Sequence, residues 1–140
     1  MNDKERKENF RKISDDIILP LMLRSHCVSA TYQRAFMGVG NNPATYFNEK
    51  NDETNVTLEF DPDTCAKGTF YFEALFPEDC EFERRAKTTI ELSERIEETP
   101  YKFGAEEHRV TVSGDFNKDN IEEVKATILS VDDAVRALYE

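Results

Sequence analysis

The sequence predicts an α+β fold: a mostly antiparallel sheet of about four to five strands with N- and C-terminal helices packed on it. Three observations predict it. Apolar and polar residues alternate through 56–60 and 70–76, as they do along a half-buried strand. Near both ends of the chain the apolar residues recur at helical spacing instead. The connections between the later strands are short, which suits hairpins rather than the dozen-residue crossovers a parallel sheet requires. A chain of 140 residues has the size of one domain, 1–140, and can bury roughly two thirds of its unfolded surface without a disulfide or metal staple.

Each element has its own signal. In 3–19, Phe10, Ile13, Ile17 and Ile18 fall at helical spacing among Lys and Arg, and Pro20 is expected to end or kink that helix. An apolar stretch follows that turns to strand near Tyr32–Val39, and the Gly, Asn and Pro of GVGNNP make a loop. Val56, Leu58 and Phe60 share one strand face, with Thr57 and Glu59 on the other. DPDTCAKG reads as a turn, after which Phe70, Phe72, Ala74 and Phe76 share one face and Tyr71, Glu73 and Leu75 the other. Together these form a hairpin of 56–61 and 69–76. Residues 88–97 read either way, and the β-branched Thr88, Thr89 and Ile90 favour a strand over a helix. Residues 108–113 make a short strand around Val110 and Val112. Ile121, Val124, Ile128, Val131, Val135 and Leu138 step by three and four residues, an apolar stripe on a C-terminal helix, with Asp119 and Glu122 spaced as a capping box.

Charge narrows the function classes. The net charge is -11 and the isoelectric point near 4.7. Nucleic-acid affinity rests on Lys and Arg neutralising phosphates, so direct DNA or RNA binding is disfavoured, as is an anionic membrane surface. A charged partner is expected to be basic. Residues 49–107 hold 17 Asp/Glu against 7 Lys/Arg, so the middle of the chain carries nearly all of the excess. Six Lys/Arg in residues 4–24 make a small basic island, read as a solvated helix face. Cys27, Cys65 and Cys80 are an odd set, and the charged opening MNDKERKENF has no apolar leader segment. Free thiols in a reducing cytoplasm are therefore expected.

No motif points to chemistry. His26, His108 and the three Cys form no metal-binding spacing. DFNKDN at 115–120 imitates half a calcium loop, but Asn120 stands where Gly is needed and Ala126 where Glu is needed. Gly38 and Gly40 are followed by Pro43, which is no dinucleotide fingerprint. Neither a nucleophile elbow nor a phosphate-binding loop occurs. The expectation is a non-enzyme with no cofactor and no metal.

FYFEALFPEDCEFERR, residues 70–85, crowds aromatic and acidic residues together. It suggests a small acidic module that binds another protein, an inhibitor or regulator docking on a basic surface. That surface could itself be one that binds nucleic acid, with carboxylates standing where phosphates would go. Glu59, Glu73, Asp79, Glu81, Glu83 and Glu91 would attract the partner, and Tyr71, Leu75 and Phe82 would bury area against it. Immunity proteins, anti-defence inhibitors and secretion chaperones share this size and acidity, a likeness of gross properties alone. Two other readings are a ligand-binding or enzymatic pocket lined by Tyr32, Phe36, Tyr46 and Phe47, and a homodimer or larger structural assembly joined through the C-terminal stripe or the sheet edges.

Overall fold

Alternation along the chain becomes pairing across a sheet. The structure, a computed structural model, describes residues 3–22, 31–36, 45–50 and 53–139. In chain order they form α1 (Asp3–Met22), β1 (Thr31–Phe36), β2 (Thr45–Lys50), β3 (Thr54–Phe60), β4 (Gly68–Leu75), α2 (Phe82–Glu97), β5 (Lys102–Ala105), β6 (Arg109–Phe116) and α3 (Ile121–Arg136), with a closing 3-10 turn at Ala137–Tyr139. The six strands make one sheet in the order β1-β2-β3-β4-β6-β5, and every pairing is antiparallel. The α+β expectation, with N- and C-terminal helices on an antiparallel sheet, describes this architecture.

The period of two sorts the strand residues by face. Val56 pairs with Phe72 and Leu58 with Phe70, and Phe72 pairs in turn with Val112. All of these are buried, together with Phe60, Ala74, Val110 and Phe116. The same core takes Phe10, Ile13 and Ile17 from α1, Leu92 and Ile96 from α2, and Val124, Ile128, Val131 and Val135 from α3. The three helices therefore cover one face of the sheet. The other face, carrying Thr57, Glu59, Tyr71, Glu73, Leu75, Arg109, Thr111 and Ser113, lies under no helix among the described residues.

Two glycines let the layers close. A side chain on Gly68 would put its Cβ 1.9 Å from the Glu59 carbonyl oxygen, a backbone atom of the neighbouring strand. One on Gly114 would meet the Tyr101 ring at 2.7 Å and Phe70 at 3.3 Å, where those two rings stack edge to face at 5.3 Å. The β3–β4 loop is fixed from inside and from α1. The Thr64 hydroxyl donates to Asp61, and the Asn9 amide donates to the Thr64 carbonyl at 3.0 Å.

The structure corrects several local expectations. Residues 88–97 belong to a helix, α2, and not to a strand. Thr88, Leu92 and Ile96 are its buried residues, spaced by four, so one side meets the core at helical period while Ile90 points away from it. Glu83–Lys87 and Glu91–Arg95 are the acid-before-base spacing that favours helix. The β-branched trio is outweighed by this periodicity and by the strong helix formers around it. After α2 the Thr99 hydroxyl donates to the Ile96 carbonyl at 2.6 Å and Pro100 follows, which together stop the helix.

Strand β2 was not foreseen, and neither was β5. Its hairpin with β6 turns through Glu107 and His108, which lack the Asn-Gly signature of such a turn. Asp119 is not the cap of α3. Asn120 holds that position, and the Asn117 side chain accepts from the Asp119 and Asn120 amides while Asn120 accepts from the Asn117 amide. Helix α1 runs two residues past Pro20, to Met22. The loop read at GVGNNP, the His26–Cys27 pair and the side chains of Tyr32, Phe36, Tyr46 and Phe47 lie outside the described residues.

Candidate functional site

The nine residues singled out from the sequence fall in three places. Glu59, Tyr71, Glu73 and Leu75 are on the uncovered sheet face. Asp79, Glu81, Phe82 and Glu83 follow β4 and open α2. Glu91 sits further along α2, exposed toward α3 rather than on the sheet, because its segment is helical.

On the sheet face the acidity is already answered from within. Glu73 is only 8% exposed. Its carboxylate accepts from the Tyr71 hydroxyl at 3.0 Å and from the Arg109 guanidinium at 3.1 Å. The same guanidinium forks onto both oxygens of Glu106, at 3.0 and 3.1 Å. These bonds and charges hold the Arg109 pKa above its already high ordinary value. Burial, with the Glu73 bond and charge behind it, pushes the Tyr71 phenol up. Glu73 is thus a structural acid, while Glu59 stays exposed and Tyr71 and Leu75 are half-buried.

The opening of α2 is different. Phe82 is 73% exposed and Ile90 58% exposed. They stand eight residues apart with Ala86 between them, so all three lie on one flank of the helix. Beside this flank is a groove of about 400 Å³ lined by Phe76, Phe82, Ala86, Thr89, Ile90 and the turn residues Glu106 and Glu107. Arg85 closes one wall, donating to the Glu107 carbonyl at 3.1 Å with its guanidinium 5.9 Å from the Phe82 ring centre. Glu106 and Glu107 line the groove, and Glu78, Asp79, Glu81 and Glu83, neighbours of Phe82 in the chain, are exposed.

Local geometry explains how the groove is held. The Phe76 amide donates to the His108 carbonyl at 2.8 Å and the Cys80 amide to the Pro77 carbonyl at 3.1 Å. These bonds pin the start of α2 against the β5–β6 turn. Phe76, last of the inward alternation, is buried and floors the groove. Sequence reasoning found Phe82 and its acids but missed Ile90, Glu106 and Glu107. Ile90 was hidden by the strand reading, and the two turn acids approach only through the β5–β6 hairpin. The i, i+4, i+8 spacing of Phe82, Ala86 and Ile90 was the signal that could have revealed the flank.

Among the described residues no three His, Cys, Asp or Glu side chains converge as metal ligands would, and no helix is long and apolar enough to cross a membrane. Comparison of the chain with protein-family models, curated proteins and solved structures finds no match.

Proposed function

We propose that the protein is a binding module that docks on a basic surface of another protein through the Phe82 flank of α2, acting as an inhibitor or regulator by occupying that surface. The observation that carries this reading is the pair of large apolar side chains, Phe82 and Ile90, left exposed two turns apart beside a groove whose turn wall holds Glu106 and Glu107, with the exposed acids Glu78, Asp79, Glu81 and Glu83 close by in the chain. Exposed apolar groups rimmed by polar ones are the usual anatomy of a docking site. An apolar side chain of the partner would enter the groove over Phe76. Its lysines and arginines would meet Glu78, Asp79, Glu81, Glu83 and Glu107, since both oxygens of Glu106 are held by Arg109. Of the sheet-face residues, Glu59 and Leu75 have no part in this contact, and Glu73 acts only by holding Arg109 and Glu106 in place.

A basic surface that binds nucleic acid is the natural target, since it is built to receive a row of negative oxygens between apolar contacts. The test is capture of a partner on the immobilised protein at low and high salt, followed by affinity measurement on that partner. Phe82→Ala is expected to weaken binding by at least about tenfold, as the loss of a buried aromatic anchor does. Raising the salt is expected to slow association more than it speeds release. Affinity indifferent to both Phe82→Ala and salt would remove the flank from the interface.

A further inference from the structure

Helix α2 has a second flank, which is mainly basic. Arg84, Lys87, Glu91 and Arg95 line a groove of about 730 Å³ shared with α3. In a chain of net charge -11, this rim sets three cations against two carboxylates, Glu91 and Asp133. Arg84 and Lys87 are exposed and form no ion pair among the described residues. Between the rims lie Leu129 and Leu138 among alanines such as Ala134, with the hydroxyl residues Thr88 and Ser130 beside them. Arg95 donates to the Ser130 hydroxyl at 2.6 Å, tying the two helices across the groove.

We infer that this groove is a second docking site and that it takes an acidic amphipathic helix from a partner protein. Four features fix the occupant. The floor offers apolar contact and the rim offers positive charge, so the ligand must combine an apolar stripe with flanking carboxylates. From Arg84 to Arg95 the rim runs roughly 16 Å at 1.5 Å per residue, the length of about three helical turns. Alanines in the floor let a third helix approach to the ordinary packing distance of about 8–10 Å. The rim residues Arg84, Lys87, Glu91, Arg95 and Asp133 are all exposed, so the groove is open from Arg84 up to the Arg95–Ser130 bridge. An open trough suits a helix better than a small molecule, which needs most of its surface enclosed. The net negative charge of the whole molecule keeps nucleic acid away, whereas a short helix feels mainly the local rim. The protein would then hold a basic partner on one flank of α2 and an acidic helix on the other.

The probe is a synthetic acetylated helical peptide of roughly 14 residues, four turns, with Leu at i, i+3, i+7 and i+10 and Glu at the flanking positions. Its twin carries Lys in place of Glu, and sodium decanoate serves as a small anionic amphiphile. Amide chemical shifts of the full chain map the contact, and fluorescence anisotropy gives the affinity. The Glu peptide is expected to shift residues of 84–95 and 126–138 saturably. Arg84→Glu with Lys87→Glu, both at exposed positions, is expected to weaken it by about tenfold or more while amide shifts away from the groove stay unchanged, which checks that the fold is kept. Phe82→Ala is expected to leave it unchanged, which separates this groove from the acidic flank. The inference is overturned by any of three results: no saturable shift in the groove, equal binding of the Lys twin there, or shifts with decanoate and none with the Glu peptide.

Discussion

Glu73 and Glu81 are both acids of the same stretch, yet position gives them different work. Glu73 points out of the sheet beside Arg109 and below the Tyr71 hydroxyl, and its charge is spent on them. Glu81 is exposed before α2, where its charge remains available. The Tyr71 phenol reports the first situation. A phenol is neutral while protonated, and burial beside the Glu73 carboxylate raises its pKa from the ordinary 10.0. Folding thus favours the protonated form. The stability contributed is full below about pH 10 and is lost as the pH climbs through the higher folded value. Ultraviolet absorbance of tyrosinate should therefore show late-titrating tyrosines, one of which disappears in Tyr71→Phe. Tyr101 should keep titrating late in that variant, because burial and Glu123 raise it independently. An unchanged late component in Tyr71→Phe would mean that Tyr71 is not held buried against Glu73 in solution.

Among the elements, the β3–β4 hairpin and α3 were legible and α2 was not, for physical reasons that differ. Residues 56–60 and 70–76 alternate because one face packs on the core and the other does not, with Glu73 buried by its own bonds to Tyr71 and Arg109 rather than by the core, so local pattern and tertiary packing agree. The α3 stripe at 3–4 spacing meets the core along its whole length, with Val124, Ile128, Val131 and Val135 buried. In α2 the core side is only Thr88, Leu92 and Ile96, and the exposed Phe82 and Ile90 blur the period because they serve the surface. That is why the site on this helix was half visible: its aromatic anchor and acids stood out, and its second anchor was assigned to the wrong element. The hairpin is also where a small change should cost most. Gly68→Ala would drive a Cβ into the Glu59 carbonyl, and neither strand backbone can yield without losing ladder bonds. The urea midpoint should fall by the equivalent of about 2 kcal/mol or more; an unchanged midpoint would place β3 and β4 further apart at Gly68.

For the whole molecule, closure depends on Arg136. From the last turn of α3 its guanidinium forks onto Asp132 at 3.0 and 3.2 Å and reaches Glu53, just before β3, at 2.9 Å. Its side chain is 12% exposed and that of Asp132 is 2% exposed. Burial opposes the charge on Arg136, but the bonds and charges of Asp132 and Glu53 outweigh it and leave the pKa raised. The Tyr139 hydroxyl adds a bond to the Leu75 carbonyl at 2.7 Å, bringing the chain end back to β4. Arg136→Ala would strand the buried Asp132 carboxylate, and thermal or urea unfolding should show a loss of about 3 kcal/mol. Adding Asp132→Asn should recover part of that loss; no recovery would mean that packing of the arginine stem, not its charge, is what matters. By itself the sequence determined the α+β class, the inward strand residues, the end helices and the acidic excess, because burial period and net charge are written in the order of residues. Tertiary structure alone decided which acids are spent on Arg109 and Arg136, that Arg84, Lys87 and Arg95 of α2 line a groove shared with α3, and that Glu106 and Glu107 join Phe82. Those facts depend on residues far apart in the chain meeting in space, and no local period records such meetings.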